Sequence, residues 1–197
     1  MKGFLIAMGI LLGVVFFTIL WGVGSYNSLI GLEQGTKESW AQVENVYQRR
    51  ADLVPNLVAV VKGVAEFEKS TFTAVTEARA KVGQTKIDAT NLNNPEMFEK
   101  FQAAQDGLGS ALSRLLVVSE NYPQLKANQN FLALQTQLEG TENRIAVERR
   151  RYNESAQSYN TAIKRFPTMI IAGFGGFKEV QYFKAQEGAQ NAPKVQF

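Results

Sequence analysis

The feature that most constrains this chain is the run GFLIAMGILLGVVFFTILWGVG, Gly3 to Gly24, in which no residue carries a charge. As a helix rising about 1.5 Å per residue, it matches a hydrocarbon core of roughly 30 Å. A secretory signal peptide has a shorter apolar region, about 7 to 15 residues, and then a small-x-small cleavage site; Gly22-Val23-Gly24 is a poor one. The expectation is a retained anchor over residues 1–25, with Trp21 and Tyr26 at its exit, where amphipathic aromatics favour the interface. Within it, Gly9-x-x-x-Gly13 has the spacing that lets two spans approach closely, so Gly9 and Gly13 mark a candidate self-association face. Lys2 precedes the run, whereas Glu33, Lys37 and Glu38 nearly cancel beyond it, which leans towards an amino end in the cytoplasm.

The absences narrow the chemistry. The chain has no His and no Cys, so it offers no imidazole base, thiol nucleophile, thiolate or imidazole metal site, or disulfide. It carries no Walker loop, dinucleotide fingerprint or nucleophile elbow. Gly173-Phe174-Gly175-Gly176 lacks the spacing and the lysine that would cradle a phosphate, and is expected to break a helix after Pro167. The formal net charge is only +3, and the one tight basic cluster, Arg149-Arg150-Arg151, sits between Glu148 and Glu154. That pattern predicts a solvated helix face rather than a nucleic-acid site. No catalytic residue, cofactor or metal is expected; an all-carboxylate metal site is the enzymatic alternative.

Past Tyr26 the apolar residues recur at helical spacing: Trp40, Val43, Val46, Tyr47, then Leu53, Val54, Leu57, Val58, Val61, Val64 and Phe67. The apolar stretch from Leu53 to Val61 is too short to cross a bilayer and predicts a helix buried on a wide arc. Pro55 interrupts it. A proline inside a helix removes a hydrogen bond and clashes with the preceding turn, at about 3 kcal/mol, but a first turn tolerates it. Either Asp52 caps a new helix and the chain corners near Ala51, or one very long helix kinks there. The polar segment Val82 to Asn94 predicts a connection, with Pro95 opening a helix to about Glu120 whose middle is weakened by Gly107 and Gly109. Pro123 then permits a reversal. In the last long element Phe131, Leu138, Ile145, Tyr152, Tyr159 and Phe166 recur every seven residues, a stripe that demands a partner helix.

The stretches RRADLVPNLVAVVKG, LSRLLVVSENYPQLKANQNFLALQTQLEGTENRIAVERRRYN, YNTAIKRFP and GFKEVQYF, in this order, resemble the bacterial LemA family of membrane-anchored helical proteins. The similarity runs from Tyr26 to about Phe183. It implies an all-α fold: one amino-terminal transmembrane helix, then an antiparallel up-and-down four-helix bundle over 26–166, which favours the corner at Asp52. It also implies single-pass residence in the bacterial cytoplasmic membrane with the short amino end outside, opposite to the charge argument, so orientation stays open. No molecular activity comes with the resemblance.

In such a chain the first and last helices are antiparallel, which sets Tyr26-Asn27 beside Tyr159-Asn160 and brings Arg49 and Arg50 near Glu139 and Glu142. These four are expected to form an ion-pair network that fixes helix register. FPTMIIAGFGGFKEVQYFKAQ, from Phe166 on, is aromatic, glycine-broken and too short to span. It is read either as a cap on the bundle or as a patch of Met169, Ile170, Ile171, Phe174, Phe177, Tyr182 and Phe183 facing the membrane or another copy. Within 167–197, the tail after Tyr182, FKAQEGAQNAPKVQF, is polar and expected to be mobile. The expected function is a membrane-anchored, non-catalytic helical interaction module, with the bilayer, a homo-oligomer and other membrane proteins as partners. A membrane-shaping protein is the alternative.

Overall fold

The computed structural model describes residues 1–64 and 68–184. Phe67 lies outside the described residues, as do residues 185–197 of the tail expected to be mobile after Tyr182; the first residue of that tail, Phe183, is instead buried. Six helices follow one another: α1 Lys2–Lys62, α2 Lys69–Gln84, α3 Pro95–Ser119, α4 Pro123–Lys126, α5 Gln129–Lys164 and α6 Thr168–Gly175. No strand occurs among the described residues, as the helical periodicity predicts.

The corner expected at Asp52 is absent, because α1 passes unbroken through Asp52 and Pro55 to Lys62. Asp52 is not a cap: its Oδ1 accepts from Nε2 of Gln48 one turn earlier, at 2.8 Å. Pro55 has no N–H for the carbonyl of Ala51, four residues back. Arg79 of α2 supplies the missing donor, its Nε reaching the Ala51 oxygen at 2.9 Å. With that acceptor satisfied from outside, the helix continues to Lys62, and α2 packs back along it, with Lys62 over the Phe72 ring and Arg79 at Ala51.

At the other boundaries the sequence signals hold. Asn94 caps α3, its side chain accepting from the N–H of Met97 at 3.1 Å with Pro95 in the first turn. The Asp106-to-Gly109 stretch stays helical inside α3. Asn128 caps α5 by accepting from the N–H groups of Asn130 and Phe131.

α1 and α5 run antiparallel: Thr36 meets Ser155 at 3.2 Å near one end and Arg50 meets Glu142 at 3.0 Å further along. α2 packs against α3 and α1. An aliphatic core joins Val54, Leu57 and Val61 of α1 with Leu108, Leu112 and Leu115 of α3, and Phe131 and Leu138 of α5. A second, aromatic core centres on fully buried Trp40, ringed by Phe98, Phe101 and Tyr152 at centroid distances of 5.3 to 5.8 Å. Each such burial contributes about 1.5–3 kcal/mol of transfer free energy. The seven-residue stripe is buried from Phe131 through Tyr159, but its last member, Phe166, is exposed. α5 ends at Lys164, before Phe166 can return to that face.

Candidate interaction surfaces

Every large apolar side chain of α1 from Phe4 to Trp21 is exposed, and this part of α1 is long and apolar enough to cross a membrane. A Cβ on Gly9 or Gly13 would meet nothing within 4 Å, so both glycines are open to a neighbour. Gly13 sits in a shallow apolar groove beside Ile10, Val14 and Phe17.

The α6 segment lies against the end of this apolar stretch. A Cβ on Gly22 would stand 3.6 Å from Cδ1 of Ile171, and the Tyr26 ring meets Phe177 edge-on at 5.5 Å. Of the seven patch residues, Ile171 and Phe177 thus turn inward and are half-buried, and with Ala172 they cover Leu29, Tyr159 and Ile163. Met169, Ile170 and Phe174 point out, Phe174 being 90% exposed. Tyr182 is exposed on the following strand-like segment, while Phe183 is buried in the aromatic core. The segment is therefore both a cap and an outward apolar face.

At the centre of the molecule Arg50 is 3% exposed. Its Nη1 donates to Oε1 of Glu142 at 3.0 Å, and its Nη2 to the carbonyl and Oε1 of Gln105 at 2.8 and 2.6 Å. The guanidinium thereby ties α1 to α3 and α5 together. Arg49 and Glu139 stand outside this centre: both are exposed, and Glu139 accepts from Gln135 on its own helix at 3.0 Å. Beside Arg50 lies buried Tyr47, whose hydroxyl has no hydrogen-bond partner in the structure. Burial pushes that phenol up to about 12, against the pull of Arg149 and Arg50.

The basic trio divides. Arg150 and Arg151 pair with Glu154 and Glu148 along α5, as a solvated face would. Arg149 instead turns inward, donating to Asp106 at 3.1 Å and lying 4.6 Å over the Phe183 ring.

Gly176, with φ +72°, ends α6 in the left-handed conformation that favours glycine. Residues 177–184 then run back along α5 as an extended strap. Asn160 closes a two-bond ring with Val180, donating to its carbonyl at 2.9 Å and accepting from its N–H at 3.0 Å. Asn153 does the same with Phe183, at 3.0 and 2.9 Å, and Gln102 of α3 with Lys184, at 3.0 and 3.2 Å. Tyr152 donates to the Gln181 carbonyl at 2.9 Å. Phe183 fills the aromatic core, stacking on Trp40 at 5.9 Å. Asn153, Gln102 and Arg149 are the residues that sequence reasoning missed. The signal was present in the Tyr-Asn pair that recurs at 152–153 and 159–160, seven residues apart.

Of the other expected neighbours, Tyr26 and Tyr159 line one cleft of about 390 Å³ with Glu33, Lys37 and Lys178, while Asn27 is exposed. Among the described residues no cluster of three or more acidic side chains is placed to hold a metal ion.

The LemA family model matches residues 39–197. The chain is similar to the magnetosome protein MamQ of Magnetospirillum gryphiswaldense, 28% identical over 91% of this chain and 71% of that protein. It is similar to magnetosome protein MamQ 2 of Paramagnetospirillum magneticum, 28% identical over 81% of this chain; it spans 64% of that relative, less than two thirds of its length. Protein LemA of Metamycoplasma hominis is 25% identical over 89% of this chain and 75% of its own length.

Proposed function

The chain belongs to the LemA family, and from that premise we propose that it is a membrane-anchored, non-catalytic helical interaction protein. In this reading residues 1–25 cross the bacterial cytoplasmic membrane once. Residues 26–166 form an antiparallel up-and-down four-helix bundle, presented at the bilayer to partner proteins and to further copies of itself. Residues 167–197 supply the apolar segment and the tail. Nucleic acid and cofactors have no part in it.

One observation carries the reading. Ile171 of α6 and Phe177 just after it pack on Gly22 and Tyr26, where the charge-free run ends, while Met169, Ile170 and Phe174 of the same helix stay exposed. In this reading α6 thus adds exposed apolar side chains at the level where the chain leaves the hydrocarbon. An exposed apolar patch beside a span is stabilised by insertion at the headgroup boundary.

The test uses the full chain in liposomes with Trp21→Phe and Phe174→Trp. Trp40 is 0% exposed and gives a constant background. Lipids brominated near the carbonyl end of their acyl chains should quench the introduced indole strongly. Emission no more quenched than that of Trp40 would sink the membrane-facing assignment of α6. The same face favours a second reading, in which α6 wedges one leaflet and shapes the membrane. Liposome deformation by the full chain, but not by a chain ending at Phe166, would distinguish it.

A further inference from the structure

The strap 177–184 is held in the way a peptide is held by a receptor. Three side-chain amides each make a paired contact with its main chain: Asn160 at Val180, Asn153 at Phe183 and Gln102 at Lys184. Such pairs read backbone and leave the peptide's side chains free. The spacing is matched, since seven helical residues advance about 10.5 Å and three extended residues about 10 Å. A pair of asparagines two turns apart on α5 thus measures three residues of extended chain running antiparallel to the helix.

Selectivity comes from the side-chain pockets. Phe183 enters the cage of Trp40, Tyr47, Phe98 and Tyr152, with the Arg149 guanidinium over its ring. Val180, half-buried, packs at the junction of the aromatic core and the membrane-end core. The groove therefore fits an extended segment with an aliphatic residue at the Asn160 step and an aromatic three residues later.

We propose that this groove is a peptide-recognition site for the segment Gly176–Lys184 of a second copy of this chain. The structure shows the segment seated in its own groove, so every copy carries both the site and its ligand. The strap leaves α6 at Gly176, which already holds the left-handed conformation, so it has a pivot there. Anchoring in one bilayer plane keeps copies close, which favours exchange of a strap between neighbours. This deepens the interaction reading above, but the readout below needs no membrane, so its failure would leave the anchor assignment standing.

The chain has no cysteine, so introduced thiols report alone. Gln157 and Tyr182 line the same cleft along the strap. Gln157→Cys in one tagged full-length chain and Tyr182→Cys in a second, differently tagged one are co-expressed, purified in detergent and oxidised. A chain carrying both substitutions should close an internal disulfide. The mixed pair should form a covalent dimer, and free peptide GFKEVQYFK present during exchange should reduce its yield at least tenfold. The peptide with its Phe183 position changed to Ala should not compete, and Asn153→Ala in the Gln157→Cys chain should lower dimer yield severalfold. An internal disulfide with no mixed dimer would confine the strap to its own chain and overturn the proposal. Failure of the internal disulfide would overturn it as well, since the strap would then not lie in the groove, and a mixed dimer indifferent to the peptide would assign the contact to another surface.

Discussion

A Cβ placed on Gly109 would stand 3.3 Å from Nη1 of Arg50, so the glycine in the middle of α3 marks where a guanidinium from α1 crosses that helix. Gly107, two residues earlier, faces open space. The two glycines should therefore respond oppositely to alanine. Gly107→Ala removes backbone entropy from the unfolded chain and should stabilise by about 0.5–1 kcal/mol. Gly109→Ala should lower the melting temperature, because Arg50 is fixed by Glu142 and Gln105 and has nowhere to withdraw. Thermal melts of the two variants in one buffer decide it; equal and positive shifts would mean that Arg50 yields freely.

The Arg50 centre also predicts how the four charged residues rank. Glu142→Ala removes a charge-assisted hydrogen bond worth about 1.5–3 kcal/mol. The loss should stay below the 3–5 kcal/mol typical of a fully buried pair, because the Glu142 side chain is 41% exposed and water can reach the vacancy. Glu139→Ala and Arg49→Ala, on exposed side chains, should lie within about 0.5 kcal/mol of the parent. Urea melts that gave all four positions similar losses would restore the wider network.

Tyr47 gives a pH dependence. Burial pushes its native phenol up to about 12, above the unfolded value near 10. Between those values the unfolded state has released its proton and the native state has not, so stability falls as pH rises. The slope is about 1.4 kcal/mol per pH unit from this group. Its hydroxyl is buried and unpartnered, so Tyr47→Phe should be neutral or stabilising at pH 7 and should flatten the decline between pH 10 and 12. Denaturant midpoints against pH for both proteins provide the check, and an unaltered slope in Tyr47→Phe would assign the decline to other groups.

How much of this was legible depended on whether an interaction writes itself into side-chain pattern. The long charge-free helix, the buried stripe from Phe131 to Tyr159 and the Asn94-Pro95 helix start rest on apolar runs, apolar periodicity and capping chemistry, and the sequence displays all three. The stripe failed at Phe166 because periodicity does not say where α5 stops. The corner at Asp52 was misplaced because a proline's effect depends on a distant donor, here Arg79. The pairing of Arg50 with Glu142 was foreseen, but not its anchoring on Gln105. The strap was invisible for a further reason: Asn153, Asn160 and Gln102 bind main chain, and polar side chains that read backbone look like solvated ones.

The outward face of α6 predicts a separation between folding and membrane contact. Phe174 is 90% exposed, so Phe174→Asp removes no packing inside the chain and should leave the melting temperature within about 2 °C, as exposed sites do. In liposomes the same change should weaken protection of the Phe166–Phe177 segment from added protease, since a carboxylate is poorly tolerated at the acyl boundary. A drop in melting temperature would instead mean that Phe174 packs against protein.

The long α1 helix rests on one compensating contact, which makes a coupled prediction. Pro55 deprives the Ala51 carbonyl of its helical donor, and Arg79 replaces it at 2.9 Å. Pro55→Ala restores the N–H within the helix and should stabilise the protein, by less than the roughly 3 kcal/mol of an uncompensated interior proline, because Arg79 already satisfies the oxygen. Arg79→Ala alone should cost about 1 kcal/mol, and close to nothing once Pro55 is Ala, since Ala51 then has its own partner. The double-mutant cycle should therefore show a coupling of about 1 kcal/mol. Additive effects would mean that the Arg79 contact is incidental and that α1 tolerates Pro55 through packing of Val54, Leu57 and Val58 alone.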